Sequence, residues 1–173
     1  STPRQITAIG GDAVTHSSLS PDGTRVAFVS FAGGNASIWS QNVDGSELRQ
    51  LTKDDAADSW PVWSPDGRRI VYTSTRNGTQ ETRVMAPDGT GNEKLIDGFF
   101  RGDWIERPDG TGTWIVTSDG NRGMRLIDVE ERRVIWEKRL PGAGLSFPVF
   151  SPDARRISAT FQETRDRYAI QVL

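Results

Sequence analysis

The sequence has no cysteine, only two methionines and a single histidine, His16. Without cysteine the chain forms no disulfide and offers no thiolate ligand, and one histidine leaves too few nitrogen ligands for a zinc site of the usual kind. No apolar run approaches the roughly 20 residues that a helix needs to cross a bilayer. We therefore expect no metal, no cofactor and no insertion into a membrane.

An excess of charge of one sign is missing as well. Lysine and arginine number 21 against 23 aspartates and glutamates, which gives a net charge of −2. Domains that bind nucleic acids carry a basic patch or stripe, and this sequence contains no basic block. The composition therefore predicts that the chain has no nucleic-acid partner.

What the sequence does contain is one short pattern written four times. A turn with the dipeptide Pro-Asp recurs after 44, 43 and 44 residues, in LSPDGTRVAFVS, WSPDGRRIVYTS, ERPDGTGTWIVT and FSPDARRISATF. The prolines that mark the four copies are Pro21, Pro65, Pro108 and Pro152. Each unit of about 43 residues offers four short extended segments. This period is typical of β-propeller blades, so we expect an all-β propeller of four four-stranded antiparallel blades.

One stretch of the sequence has a pattern that a helix could also show, and the alignment of the units decides between helix and strand. Residues 127–140, IDVEERRVIWEKRL, align with residues 84–96, VMAPDGTGNEKLI. The second segment contains a Pro-Asp-Gly turn between two apolar stretches, which is a signal for strand, turn and strand. We therefore expect residues 127–140 to form two strands and no helix.

The repeat units can be assigned boundaries across the whole chain, residues 1–173, as a single propeller domain or a propeller segment. The units are about 8–52, 53–96, 97–139 and 140–173 plus 1–7. Since RQIT at 4–7 matches RQLT at 49–52, the N-terminal strand should complete the last blade. Three arrangements stay open: a piece of a longer propeller, a homodimer in which two chains share one eight-bladed ring, or four blades that close alone.

The turn of each unit has a specific conformational requirement. Proline presets φ for the first central position, aspartate hydrogen-bonds the backbone further on, and glycine adopts the positive φ that joins the two strands. Ala154 replaces this glycine in the fourth unit. We expect a small local strain at Ala154, or a relaxed turn.

The second unit resembles a known repeat most closely. Its segment WPVWSPDGRRIVYTSTRNGTQETRVMAPDGTGNEKLI, residues 60–96, is similar to the TolB-type propeller repeat, a bacterial relative of the WD repeat. The third unit departs from the pattern, with Glu106 and Arg107 where the others have an apolar residue and serine. The resemblance implies a propeller that binds proteins, an occurrence beside peptidase and protein-kinase domains in bacteria, and an extracytoplasmic compartment such as the periplasm.

Signals for catalysis are weak throughout the chain. His16 precedes Ser17 and Ser18, but neighbouring residues on a strand point to opposite faces, so His16 is poorly placed to orient Ser17. The Gly-x-Ser-x-Gly elbow and the calcium-loop pattern are both missing. We therefore predict that the chain is not an enzyme and has no catalytic residues.

One column of the alignment differs in every unit while its neighbours repeat. Five residues before the marker prolines stand His16, Trp60, Asp103 and Phe147. This position is the start of the innermost strand, near one mouth of the propeller channel, where varied residues on a constant scaffold could bind a protein or peptide. The alternative is that Trp60 and Phe147 plug the channel or pack between blades. The other tryptophans that we assign to core or inter-blade packing are Trp39, Trp104, Trp114 and Trp136.

These observations favour a non-catalytic scaffold that binds proteins or peptides at the channel mouth. Two alternatives are a sensor or gating module of a larger bacterial enzyme, such as a peptidase or protein kinase, and a hydrolase or lyase with its site in the channel. The last requires clustered histidines and acidic residues, and the single histidine argues against it.

Overall fold

The fold consists of β-strands that form four separate antiparallel sheets. The computed structural model of the chain describes residues 14–118, 123–139, 143–164 and 167–172, and every regular element in these ranges is a strand. We call the sheets blades 1 to 4 in chain order. The chain divides between Lys94 and Leu95 into two compact units, the first built on blades 1 and 2 and the second on blades 3 and 4.

Blades 1 to 3 have four strands each, in sequential order. The strands of blade 1 are β1 (Val14–Leu19), β2 (Arg25–Ser30), β3 (Ser37–Asn42) and β4 (Arg49–Gln50). The strands of blade 2 are β5 (Ala57–Trp63), β6 (Ile70–Arg76), β7 (Thr79–Met85) and β8 (Glu93–Asp97). The strands of blade 3 are β9 (Gly102–Glu106), β10 (Thr113–Ser118), β11 (Gly123–Asp128) and β12 (Arg133–Arg139).

Blade 4 contains three strands within the described residues: β13 (Ala143–Phe150), β14 (Ile157–Thr164) and β15 (Arg167–Val172). The segment 4–7, expected to complete this blade, lies outside the described residues. The all-β architecture of repeated antiparallel blades is confirmed. So is the strand, turn and strand expected for residues 127–140, which cover the end of β11 and all of β12. Within the described part of the chain, no helix has the length and hydropathy that a membrane span requires.

The four marker turns share one backbone geometry. In each, the residue two positions after the proline has a positive φ: 70° at Gly23, 69° at Gly67, 70° at Gly110 and 55° at Ala154. The amide of that residue donates to the carbonyl oxygen three residues earlier, at 2.9 Å in every turn. Ala154 therefore keeps the left-handed conformation, and the turn does not relax around it.

The serine before the proline has a structural role in the turn. In blade 1, the Ser20 hydroxyl donates to Asp22 Oδ1 at 2.6 Å and accepts the Arg25 amide at 2.9 Å. Hydrogen bonds from Ser20 and Thr24 lower the pKa of Asp22 below its ordinary value. The same tie recurs at Ser64 and Ser151. One hydroxyl thus holds both sides of the turn, which explains why Ser-Pro-Asp recurs as a unit.

Blade 3 replaces this serine with Arg107 and forms an ionic cluster in its place. The Arg107 guanidinium pairs with Asp128 and lies 3.6 Å from Glu130 Oε2. Glu130 also accepts the Thr113 amide at 2.8 Å. A Cβ atom on Gly112 would stand 2.5 Å from Glu130 Oε2, so a larger residue there would have to displace the Glu130 carboxylate. In blade 3, ion pairs and a hydrogen bond to Glu130 therefore replace the serine hydrogen bonds of the other three turns.

Each compact unit has a cluster of buried apolar side chains between its two blades. In the first, side chains of blade 1 (Ala27, Val29, Ile38 and Leu51) pack against side chains of blade 2 (Trp63, Ile70, Tyr72 and Met85). In the second, among the described residues, a cluster of Val116, Met124 and Ala159 has the partly buried Trp136 and Phe150 packed against it. In both units the core lies between two consecutive blades, because a single thin sheet cannot bury both of its apolar faces alone.

Candidate functional site

The variable column of the alignment coincides with a β-bulge in three of the four blades. The register of β1 shifts between Thr15 and Ser18, and that of β5 shifts between Ser59 and Val62. A third shift lies between Ser146 and Val149 of β13. A bulge inserts one residue without a partner and redirects the local side chain.

The bulge residues have a backbone conformation that is uncommon for their type. The φ angles of His16, Trp60 and Phe147 are 45°, 57° and 30°. Such positive φ values are uncommon for residues other than glycine, although asparagine, aspartate and histidine adopt them more often than the rest, and a bulky residue such as Trp60 or Phe147 in this region is an outlier. Strain of this kind costs on the order of 1–3 kcal/mol per residue and concentrates at ligand sites. Three blades therefore hold a ring side chain at the same strained position.

Two of the expected site residues lie in contact within the first compact unit, which contains blades 1 and 2. The ring centroids of His16 and Trp60 lie 3.8 Å apart, with the planes tilted by 42°. His16 is exposed and its Nδ1 lies 3.1 Å from the Thr15 hydroxyl, while Trp60 is half-buried. The pair therefore presents an aromatic surface with polar groups on one side.

In the second compact unit, Phe147 is 46% exposed and its ring lies near the guanidinium of an arginine. The Arg101 guanidinium lies 4.8 Å from the Phe147 ring centroid and 5.4 Å from that of Phe99. Both distances are in the range of cation–π interactions. The sequence analysis missed Arg101 and Phe99, because both precede strand β9 and belong to no repeated column.

Asp103 differs from the other three column residues. Strand β9 has no bulge, and Asp103 pairs in register with Val116. Its carboxylate accepts the amide of Trp104 at 2.9 Å and the amide of Phe150, in blade 4, at 3.0 Å. Asp103 thus ties blade 3 to the strand that carries Phe147, and the four column residues do not share one geometry.

The four tryptophans that the sequence assigned to packing are buried to different degrees. Trp104 is buried, and Trp39, Trp114 and Trp136 are half-buried. Among the described residues, no group of three or more histidine and acidic side chains is arranged to hold a metal ion. The candidate residues of the first compact unit are thus an aromatic pair with a neighbouring hydroxyl, and those of the second are a ring with a cation.

Repeated four-stranded antiparallel blades joined by short turns define the class of β-propeller proteins. The family model of the TolB beta propeller domain matches residues 3–130, and the chain belongs to this family. The Tol-Pal system protein TolB of Syntrophus aciditrophicus is 34% identical over 77 residues, which cover 42% of this chain and 17% of that protein.

Solved structures agree on the fold. TolB from Acinetobacter baumannii superimposes with a TM-score of 0.67 at 22% identity, covering 93% of this chain and 41% of that one. A puromycin hydrolase structure gives a TM-score of 0.69 at 18% identity, covering 93% of this chain and 27% of that one. The chain spans only 33%, 17% and 28% of three curated relatives that it matches.

Proposed function

We propose that the chain is a non-catalytic propeller module that binds a protein or peptide segment through the residues at its innermost strands. The contact groups are the His16–Trp60 pair in the first unit and Phe147 with Arg101 in the second. Asp103 supports the second group by fixing β13. The innermost strands of propeller blades face the central channel, so each group would meet a ligand at the inner edge of its own blades.

The observation that carries the proposal is the positive φ of His16, Trp60 and Phe147. A packing residue gains nothing from a strained backbone, and Pro61 and Pro148, the next residues along β5 and β13, are buried without one. A bulge that directs a ring away from the sheet is instead a common device beside binding sites.

The chemistry of the two groups favours a peptide. Aromatic rings and arginine dominate the binding energy of protein interfaces. The Arg101 guanidinium, which lies near two rings, would donate hydrogen bonds to a carboxylate or to a backbone carbonyl. One relative is named as a protein of the Tol-Pal system, which supports a role of this chain in an assembly.

A second candidate is a sensor or gating module within a longer bacterial enzyme. The coverage supports it, since the chain matches 27% of the puromycin hydrolase chain and a third or less of its curated relatives. Both candidates use the same contact groups. They differ in whether the bound segment lies on another protein or on the same longer chain.

Glycine substitution tests the proposal. Trp60→Gly removes the ring and also relieves the positive φ, so a binding residue should lose its ligand while the free energy of unfolding changes by no more than about 1 kcal/mol. Peptides selected from a displayed random library against the wild-type chain supply the ligand. We expect the dissociation constant to rise at least tenfold, measured by fluorescence anisotropy.

The matched control uses two phenylalanines of equal exposure. Phe147→Ala should weaken binding, whereas Phe31→Ala, which removes a 43% exposed ring outside the bulges, should not. Unchanged affinity in both the Trp60 and Phe147 variants would overturn the proposal. A loss of several kcal/mol in stability on Trp60→Gly would show that this ring is a packing residue.

A further inference from the structure

The junction of blades 3 and 4 contains an open apolar cleft that the proposed function does not use. Its volume is about 380 Å³. The residues that form its walls include Trp114, Leu126, Trp136, Phe150, Arg155 and Ile157. None of them belongs to the bulge site. The volume is at the lower end of the range for ligand pockets, which are apolar with a few polar groups that fix orientation.

The corresponding junction of blades 1 and 2 is covered by an arginine. The Arg25 guanidinium lies 5.6 Å from the ring centroid of Trp63 and donates to Ser40 Oγ at 3.1 Å. Trp63 is only 6% exposed. Phe150 holds the same position as Trp63, two residues before the marker proline, but it is only half-buried. The two junctions therefore differ in whether the central ring has a cover.

The sequence of blade 3 explains the open junction. The position four residues after the marker proline is Arg25 in blade 1 and Gly112 in blade 3. Glycine has no side chain to reach the ring of Phe150, and Glu130 Oε2 lies 2.5 Å from the place where a Cβ atom of residue 112 would stand, so an arginine there would have to displace the Glu130 carboxylate. The cluster that replaces the serine tie thus also leaves Phe150 without its cover.

We propose that the cleft binds a peptide segment in which a large apolar side chain is flanked by carboxylates. Trp114, Trp136 and Phe150 supply flat apolar walls for the side chain, and such aromatic walls are the usual anchors of peptide contacts. Arg155, which is exposed, is the one charged residue among the described residues that form the walls. Its guanidinium favours a carboxylate beside the anchor.

A carboxylate of the turn lies beside Arg155. Asp153 Oδ1 accepts the Ser151 hydroxyl at 2.6 Å and the Arg155 amide at 3.1 Å. Hydrogen bonds from these groups, and then the charges of Arg155 and Arg156, lower the pKa of Asp153. Asp153 thus offsets part of the positive charge, and the two adjacent arginines exceed it. Arg155 is exposed, so its guanidinium is accessible at the rim of the cleft.

Titration with two designed peptides tests the proposal. The probes are acetyl-Glu-Asp-Leu-Phe-Glu-Asp-amide and its lysine counterpart, acetyl-Lys-Lys-Leu-Phe-Lys-Lys-amide. Proton–nitrogen NMR spectra resolve the indole N–H signals of the six tryptophans, assigned with single Trp→Phe variants. We expect the acidic peptide to shift the signals of Trp114 and Trp136 saturably, and the lysine peptide to bind about fivefold more weakly.

Adjacent arginines give a matched pair of variants. Arg155→Glu should weaken the acidic peptide about fivefold or more, whereas Arg156→Glu makes the same charge change beside the cleft and should have less than about a twofold effect. Equal affinity for both peptides, equal effects of both variants, or shifts confined to tryptophans other than Trp114 and Trp136 would overturn the proposal. Dimerisation of the chain with no peptide-induced shift would assign the cleft to a second copy instead.

Discussion

The junction of blades 1 and 2 and the junction of blades 3 and 4 are built from the same repeat, yet they pack differently. The first buries Trp63 under Arg25 within a core of eight apolar side chains. The second leaves Phe150 half-exposed beside a cleft of about 380 Å³. The strand order and the turns are alike in both, so the difference follows from a few side chains, Gly112 and Arg107 above all. The repeat thus determines the backbone arrangement at a junction, while the side chains that fill the junction differ.

Truncation of the central ring is the strongest test of this comparison. Trp63→Ala should lower the free energy of unfolding by about 3–5 kcal/mol, because it leaves a cavity in a closed core. Phe150→Ala should cost about half as much, since water already reaches the ring. Urea denaturation of both variants measures the difference.

The equivalent residue of blade 1 supplies the control for these truncations. Leu19 is 57% exposed, so Leu19→Ala should change the free energy of unfolding by no more than about 0.5 kcal/mol. Losses of equal size for Trp63→Ala and Phe150→Ala would show that the second junction is closed in solution.

A buried carboxyl group distinguishes the first junction further. Asp58 is 1% exposed, and neither of its oxygens has a hydrogen-bond partner of standard geometry. Burial raises the pKa of Asp58 above its ordinary value of 3.8, and the nearby hydroxyls of Ser74 and Thr52 counter this only in part. Compared with the unfolded chain, the folded chain therefore favours the protonated form of Asp58.

Asp58→Asn should accordingly change stability in a pH-dependent way. Below pH 3.8 the carboxyl is protonated in both the folded and the unfolded chain. As the pH rises through the raised pKa, burial of the ionised carboxylate lowers the free energy of unfolding of the wild type. We expect the variant to gain stability relative to the wild type between pH 3.5 and pH 7. Urea denaturation across this range measures the gain, and a difference that does not depend on pH would contradict the interpretation.

The neighbouring Asp54 gives a control of opposite sign. Burial raises its pKa, but the hydrogen bonds from Arg76 and from the Ala56 amide outweigh burial and lower the pKa overall. Its stabilising contribution is therefore present above the ordinary pKa and is lost as the pH falls through the lowered value. Asp54→Asn should lose stability relative to the wild type as the pH rises over the same range.

The marker turns provide the smallest effect. Ala154→Gly should raise the free energy of unfolding by about 1 kcal/mol, because glycine adopts the φ of 55° without strain. Gly23→Ala makes the reverse change in blade 1, where a Cβ atom would have no neighbour within 4 Å, and should cost about as much. Chemical denaturation of the two variants should give shifts of opposite sign, and a stabilising Gly23→Ala would refute the turn argument.

The sequence predicted the fold well because its signals are local. The spacing of Pro21, Pro65, Pro108 and Pro152 and the chemistry of Pro-Asp-Gly act over a few residues, and the structure reproduces the same turn each time. The candidate site was predicted less completely. The column of His16, Trp60 and Phe147 was visible, but the bulge and its positive φ were not, since they depend on the partner strand. Arg101 has no repeated neighbour and gave no signal.

By itself the sequence determined the period, the turns and the all-β class of this chain, because each of these depends on φ preferences and on apolar alternation within one unit. Only the tertiary structure decided which rings become covered. Whether Trp63 meets Arg25, or Phe150 remains beside an open cleft, depends on side chains that are distant in sequence and are brought together by the stacking of one blade on the next. Packing of this kind is a property of pairs of blades, and no single repeat contains it.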